Sequence, residues 1–332
     1  ALESGDRGRV GRCLAVFGAF HRLLGRAAVG ERYLQQARAL AESLGDAQLL
    51  GLSHVCSAGD AMLTGDWREV VTRTQQGLAA LPARSIGVTW ERMLGACFEL
   101  AALDQLGVVA EVERRAREHL HDAEARGDLY GQVVSHQFVG QSRIAAGDTA
   151  GARAHARASL ERWAPGEYTL QHFYALRIEV GCDLYDGQAA VGRSRLATTW
   201  PRLRAAGLLQ NPISRVDALL LRARCALATA DGGEALALAR KLERERRVDA
   251  GLHARWIRAR AGAADADRLR EAERGFASRG MALCSAGAAK ILALGSSAAE
   301  DAAIASLGVV DPDRWMRYFM PELGVYSTER AR

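Results

Sequence analysis

Residues 31 to 45 place Tyr33, Ala37, Leu40 and Leu44 at i, i+4, i+7 and i+11, with Arg32, Gln36 and Glu42 falling between them. That spacing returns to one face every 3.6 residues and predicts an amphipathic helix. Residues 66 to 81 repeat it with Trp67, Val70, Val71, Leu78 and Leu81, and residues 148 to 163 with Ala152, Ala156, Leu160 and Trp163. Turn signals punctuate these stretches about every 20 residues: Gly45-Asp46, Gly65-Asp66, Gly107, Gly127-Asp128, Gly147-Asp148, Pro165-Gly166, Asp186-Gly187 and Gly207, with one mark missing between Pro82 and Gly87. Gly65 and Gly147 suit the left-handed residue that ends one helix, and Asp66 and Asp148 suit the N-cap of the next, where a carboxylate accepts from unpaired backbone N–H groups. No run alternates apolar and polar residues long enough to predict a strand.

One helix and one turn per 20 residues gives a helical hairpin every 40. Eight hairpins are predicted, over about 6–45, 46–82, 85–126, 128–164, 167–206, 211–247, 248–279 and 280–308. A lone hairpin cannot bury its stripe, so the hairpins must stack on one another. Asp311-Pro312 breaks the pattern ahead of an apolar segment, Trp315 to Met320, closed by Pro321. This segment is the candidate cap for the open face of the last hairpin.

Composition supports helix and removes chemistry. Of 332 residues 63 are Ala and 41 are Leu, and Arg supplies 42 of the 44 basic side chains; these residues lose least on entering a helix. Lys241 and Lys290 follow Arg240 and Ala289, so neither can complete a phosphate-binding GxxxxGK[ST] loop or a kinase VAIK lysine. Cys13, Cys56, Cys97, Cys182, Cys225 and Cys284 form no CxxC pair and read as buried thiols of a reducing cytoplasm. No apolar run approaches a membrane span, and charges among the first thirty residues exclude a secretory signal. The chain begins at Ala1 rather than Met and is expected to be part of something longer. The net charge of +5 is spread among acids, as in Glu243-Arg244-Glu245-Arg246-Arg247, which reads as a solvated helix face rather than a nucleic-acid surface.

The hairpins resemble tetratricopeptide repeats. Gly65-Asp66-Trp67 and Pro82 match that family's turn, aromatic and closing proline, with Val70 in its small-residue position; Gly140, Gly147, Asp148 and Ala152 match in a second unit, where Thr149 replaces the aromatic and Pro165 sits one place late. The resemblance implies an all-α, right-handed solenoid of about sixteen helices over residues 1–310, with 311–332 as a short cap. The chain is also similar to the C-terminal region of large bacterial regulators that join a Ser/Thr protein kinase domain to a STAND-type ATPase. Gln171-His172-Phe173-Tyr174, Trp200-Pro201-Arg202-Leu203, Leu242-Glu243-Arg244-Glu245, Asp311-Pro312-Asp313-Arg314 and Met320-Pro321 carry that similarity. It implies that phosphotransfer and nucleotide hydrolysis belong to upstream domains acting in cis.

Within these residues no catalytic set, cofactor or metal is expected. His119 and His121 are two apart and point to different faces, whereas helical metal ligands sit four apart. Asp265 and Asp267 read as helix-start residues, and no GxSxG is present. The stretch Trp163 to Tyr185 concentrates aromatics; Phe173, Leu176 and Val180 lie on a core face, which turns Tyr168, His172 and Tyr174 partly elsewhere. In tetratricopeptide-like arrays the first helix of each hairpin lines a concave groove, so His136, Gln137, Gln141, Arg143, Tyr174 and Arg177 are the candidate groove residues. The expected function is a non-catalytic cytoplasmic interaction or sensor module that binds a protein segment or small ligand there. The alternatives are an all-α toroid enzyme, which lacks a DDxxD-type motif here, and the sensor domain of an ATPase-type transcription activator, whose helix-turn-helix the short tail cannot supply.

Overall fold

The computed structural model describes residues 5–81, 87–163, 166–262, 265–293 and 298–323. They form seventeen helices: the hairpins α1 (Arg7–Leu23) with α2 (Ala27–Leu44) and α3 (Ala47–Thr64) with α4 (Trp67–Ala80); then, in chain order, α5 (Thr89–Leu106) and α6 (Val109–Arg126); the hairpins α7 (Leu129–Ala145) with α8 (Thr149–Glu161), α9 (Leu170–Tyr185) with α10 (Ala189–Ala205), α11 (Pro212–Ala228) with α12 (Gly232–Leu242), α13 (Val248–Ala261) with α14 (Ala266–Ser278) and α15 (Ala282–Leu292) with α16 (Ala298–Ser306); and finally α17 (Pro312–Phe319). Among the described residues there is no strand. The Gly-Asp turns act as their chemistry dictates. Gly65 ends α3 at φ 78°, and the Asp66 carboxylate accepts from the Glu69 N–H at 3.2 Å; Asp148 accepts from Gly151 at 2.7 Å and Asp265 from Arg268 at 3.0 Å. Pro82, Pro165 and residues 324–332 of the closing segment lie outside the described residues.

The buried stripes sit one step around from those the large apolar residues suggest. On α2 the buried residues are Gly30, Leu34, Ala37 and Ala41, while Tyr33 and Leu40 are half-buried and Leu44 is exposed. On α4 Thr74 and Gly77 join Trp67 and Val70, and on α8 Ser159 joins Ala152 and Ala156. Small residues take the seam because the two helices of a hairpin touch backbone to side chain. A Cβ on Gly30 would stand 2.6 Å from the Gly18 carbonyl oxygen, and one on Gly51 would stand 3.0 Å from that of Gly77.

The chain divides into two compact units, residues 1–103 and 104–332. The first packs α1, α2 and α3 around Ala15, Leu34, Ala37, Leu52 and Cys56, and α4 packs on α3. In the second, one continuous core draws residues from every helix between α7 and α11 and from α15 to α17. Second helices bury a single stripe there, but first helices are covered on most sides; α7 and α11 bury eleven and twelve residues. The reason is a second layer on their inner side. The second unit curls until α15 reaches the turn that begins it, so that a Cβ on Gly107 would lie 2.7 Å from the Leu283 amide nitrogen. Gly308 likewise abuts Val109, and the Val310 N–H donates to the Ala145 carbonyl at 2.9 Å. The segment expected as a terminal cap carries α17, which touches several helices of the second unit. α17 meets α15, where Lys290 pairs with Asp313 at 2.9 Å, and also runs across α9 and α11.

Gly107 also has φ 77°, a conformation costly for any residue with a Cβ. Gly107→Ala is expected to destabilise the chain by about 1 to 3 kcal/mol. Urea unfolding checks this, with Gly127→Ala as the comparison, because Gly127 has φ 68° but open space where its Cβ would be.

Candidate functional site

The inner faces of the second unit's first helices converge on one small, partly open cavity of about 50 Å³. Gln141 and Ser142 reach it from α7, Arg177 from α9, Asp217 and Arg224 from α11, His253 from α13 and Cys284 from α15; Asp104 closes one side. Trp315, Tyr318 and Phe319 of α17 close another. On α11 Asp217 and Arg224 are seven residues apart, two helical turns, which sets both on the inner face.

The charges are arranged as a chain of pairs. Arg177 lies 3.5 Å from Asp104 and 3.4 Å from Asp217; Asp217 in turn accepts from Arg247 at 3.2 Å, and Arg247 reaches Asp249 at 2.6 Å. Burial opposes the charges on Arg177 and Arg247, but their aspartates more than offset it and hold both guanidinium groups above their ordinary value. Burial also pushes the Asp104 carboxyl up, against the pull of Arg177.

Arg224 is different. It is 7% exposed, its Nε has no hydrogen-bond partner, and among the described residues no carboxylate lies within ion-pair distance of it. Burial pushes its guanidinium down from the ordinary value. Its support comes from the rings of Tyr318 and Phe319, whose centroids lie 5.3 and 4.8 Å from the guanidinium carbon. Gln141 holds that wall by donating to the Tyr318 hydroxyl.

His253 is 2% exposed and accepts from the Trp256 indole N–H at 3.1 Å, packed between Phe276 and the Arg224, Arg247 and Asp249 charges. Burial pushes its pKa down from 6.5 to about 3. The folded chain thus refuses a proton that the unfolded chain accepts below pH 6.5, so this contribution to stability is complete above that pH and fades as the pH falls toward 3. Over that window one proton is worth up to about 1.4 kcal/mol per pH unit. Urea unfolding from pH 7 to 4 is expected to show a shallower pH dependence for His253→Leu than for the wild type.

Of the six groove residues read from the sequence, Gln141 and Arg177 line the cavity, and Tyr174 lies beside it under the Arg177 guanidinium at 5.2 Å. The other three are placed elsewhere. Gln137 is buried and donates to the Gln171 carbonyl at 2.8 Å. His136 turns outward to His155 on α8, with Nδ1 atoms 3.0 Å apart, and Arg143 pairs with Glu113 at 3.4 Å and Asp148 at 3.8 Å. Residues 136, 137 and 143 fall on α7 faces that meet α8 and α6, because the inner face of that helix is set by Gln141 and the residues one turn around it. Sequence reading missed Asp217, Arg224, Arg247, Asp249 and His253. The signal was a charge inside a helix that is apolar on nearly every side, as in Asp217-Ala-Leu-Leu-Leu-Arg-Ala-Arg224-Cys-Ala-Leu.

Two other expectations need correction. Residues 243–247 are not one solvated face: Glu243 pairs with Arg258 at 2.7 Å, Glu245 with Arg215 at 2.6 Å, and Arg247 is 3% exposed. Cys13 is exposed and Cys97 half-buried, so only four of the six cysteines are buried thiols; burial pushes Cys56, Cys182, Cys225 and Cys284 up to about 12. His119 is half-buried and His121 exposed on α6. Among the described residues no helix is long and apolar enough to cross a membrane. No protein-family model, no curated protein and no solved structure matches the chain.

Proposed function

We propose that this chain is a non-catalytic ligand-sensing module, its ligand held in the inner cavity of the second unit, and that it serves as the regulatory part of a larger signalling protein. The observation that carries the first half is the convergence of polar side chains from five successive first helices on one cavity. A ligand touching all five would tie the hairpins together, and its binding energy would bias how they stack. The second half rests on the similarity of the 171–174, 200–203, 242–245 and 311–314 segments to regulators that combine kinase and ATPase domains. A protein kinase loop or a Walker motif upstream of Ala1 is the expected finding; the absence of both from the full coding sequence would remove that half.

An inner cavity with Asp104, Asp217 and His253 on its wall is also what an all-α enzyme would need. Protonation states favour binding over turnover. A thiol pushed up to about 12 at Cys284 and an imidazole pushed down to about 3 at His253 are both neutral near pH 7 and suit hydrogen bonding rather than proton transfer. A thermal-unfolding screen against carboxylates, amines, sugars and nucleotides tests the reading. At least one class is expected to raise Tm saturably, with the rise diminished in Gln141→Leu or Arg177→Met. No saturable rise with any class, or a ligand turned over on incubation, would overturn it.

A further inference from the structure

We propose that the cavity takes a small monocarboxylate, whose carboxylate is gripped by the in-plane N–H edge of Arg224 while α17 closes over it as a lid. This rests on the reading of the cavity as a ligand site and names the ligand's class.

An unpaired, desolvated guanidinium is costly, and an apolar side chain of the same size would serve packing better. The neighbouring buried arginines each meet two aspartates, so this interior does supply counter-charges where they are wanted. At Arg224 it supplies two aromatic faces instead. Ring contacts engage the face of the guanidinium and leave its edge, where the five N–H donors point, for a planar acceptor with two oxygens.

Charge and size narrow the class. Asp104 and Asp217 line the same cavity and would repel a second negative charge, which disfavours a phosphate dianion. A volume of about 50 Å³ accommodates only about three to five waters, close to a carboxylate carrying one to three further carbons. Leu220, Leu221, Leu283 and Trp315 offer the apolar wall for that short tail. Trp315, Tyr318 and Phe319 put α17 on the cavity wall, with the last two against Arg224, the position from which it closes over the ligand.

The test is isothermal titration and thermal unfolding of the chain with acetate, propionate and butyrate at matched ionic strength, with chloride and inorganic phosphate as controls. Saturable binding of at least one monocarboxylate is expected, with phosphate at least about tenfold weaker. Arg224→Met is expected to lose binding by at least about tenfold, the worth of a charged hydrogen bond, while its unliganded Tm equals or exceeds that of the wild type because an unpaired buried charge is gone. Arg224→Lys keeps the charge but not the fork, and its affinity is expected between the two; it also serves should the methionine variant not fold. Undiminished binding in both variants, preference for phosphate, or no saturation by any monocarboxylate would overturn the proposal. If amines, sugars or nucleotides bind in the wider screen and Arg224→Met leaves them unaffected, the carboxylate assignment falls and the cavity remains a ligand site. If nothing in either experiment saturates, both fall together.

Discussion

Asp217→Ala is expected to lower the unfolding free energy by about 3 to 5 kcal/mol, the largest loss of any single charge removal in this chain. Asp217 stands between two buried arginines, 3.4 Å from Arg177 and 3.2 Å from Arg247. Removing it leaves Arg247 with less negative charge at 3% exposure and Arg177 with Asp104 alone among its aspartates. Arg247 is too deeply buried to turn to water, and the Arg177 side chain is only 15% exposed. Asp217→Asn preserves shape and accepting oxygen, so a smaller loss is expected. Glu118→Ala provides the contrast: Glu118 also pairs with an arginine, Arg114, at 2.5 Å, but both side chains are 51% exposed. Its loss is expected to stay within about 0.5 kcal/mol. Urea unfolding of the three variants at pH 7 checks all of this, and equal losses for Asp217→Ala and Glu118→Ala would show that the inner charges are hydrated.

Trp315→Ala is expected to cost about 3 to 5 kcal/mol as well, by a different route. Trp315 is 4% exposed, stacks on Phe319 at 5.2 Å and meets the Tyr318 ring at 5.1 Å. Truncation empties the contact between α17 and the body of the second unit. What remains to hold the segment is the buried Tyr318 with its Gln141 bond, Met320 against Gly287, and the more exposed pairs of Arg314 with Asp186 at 2.8 Å and Lys290 with Asp313. Hydrogen exchange is expected to accelerate first across residues 310–320 while α9 and α11 stay protected, which is the behaviour of a lid. Simultaneous loss of protection in α9, α11 and α17 would instead make α17 an inseparable part of the core. Trp315→Phe keeps an aromatic surface and is expected to lose less.

The two variants probe features of unequal visibility. The inner charges stand in the sequence at a legible spacing, Asp217 and Arg224 on one face of an otherwise apolar helix. Their partners do not, because Asp104 and Arg177 are separated by 73 positions and meet only when hairpins stack. His136 and Arg143 show the converse case. They share a helix with Gln141 and looked equally placed for a groove, yet rotation of α7 against α8 assigns them outward to His155 and to Glu113. Helix phase is set by where Gly140 and Ala152 allow close approach, a Cβ on Gly140 standing 3.2 Å from the Ala152 carbonyl oxygen, and not by where the largest apolar side chains lie.

The sequence by itself determined an all-helical chain with a turn about every 20 residues, because turn chemistry and helical period act over that range. Asp66, Asp148 and Asp265 cap their helices from three residues away and need no distant partner. Only the tertiary structure decided that residues 104–323 curl until Gly107 meets Leu283, that α17 lies across α9 and α11, and that Arg224 faces the cavity with no described carboxylate within ion-pair distance. Each of those depends on the angle at which one hairpin stacks on the next. Small angular differences add over five hairpins, and the contacts that fix the sum lie far apart along the chain.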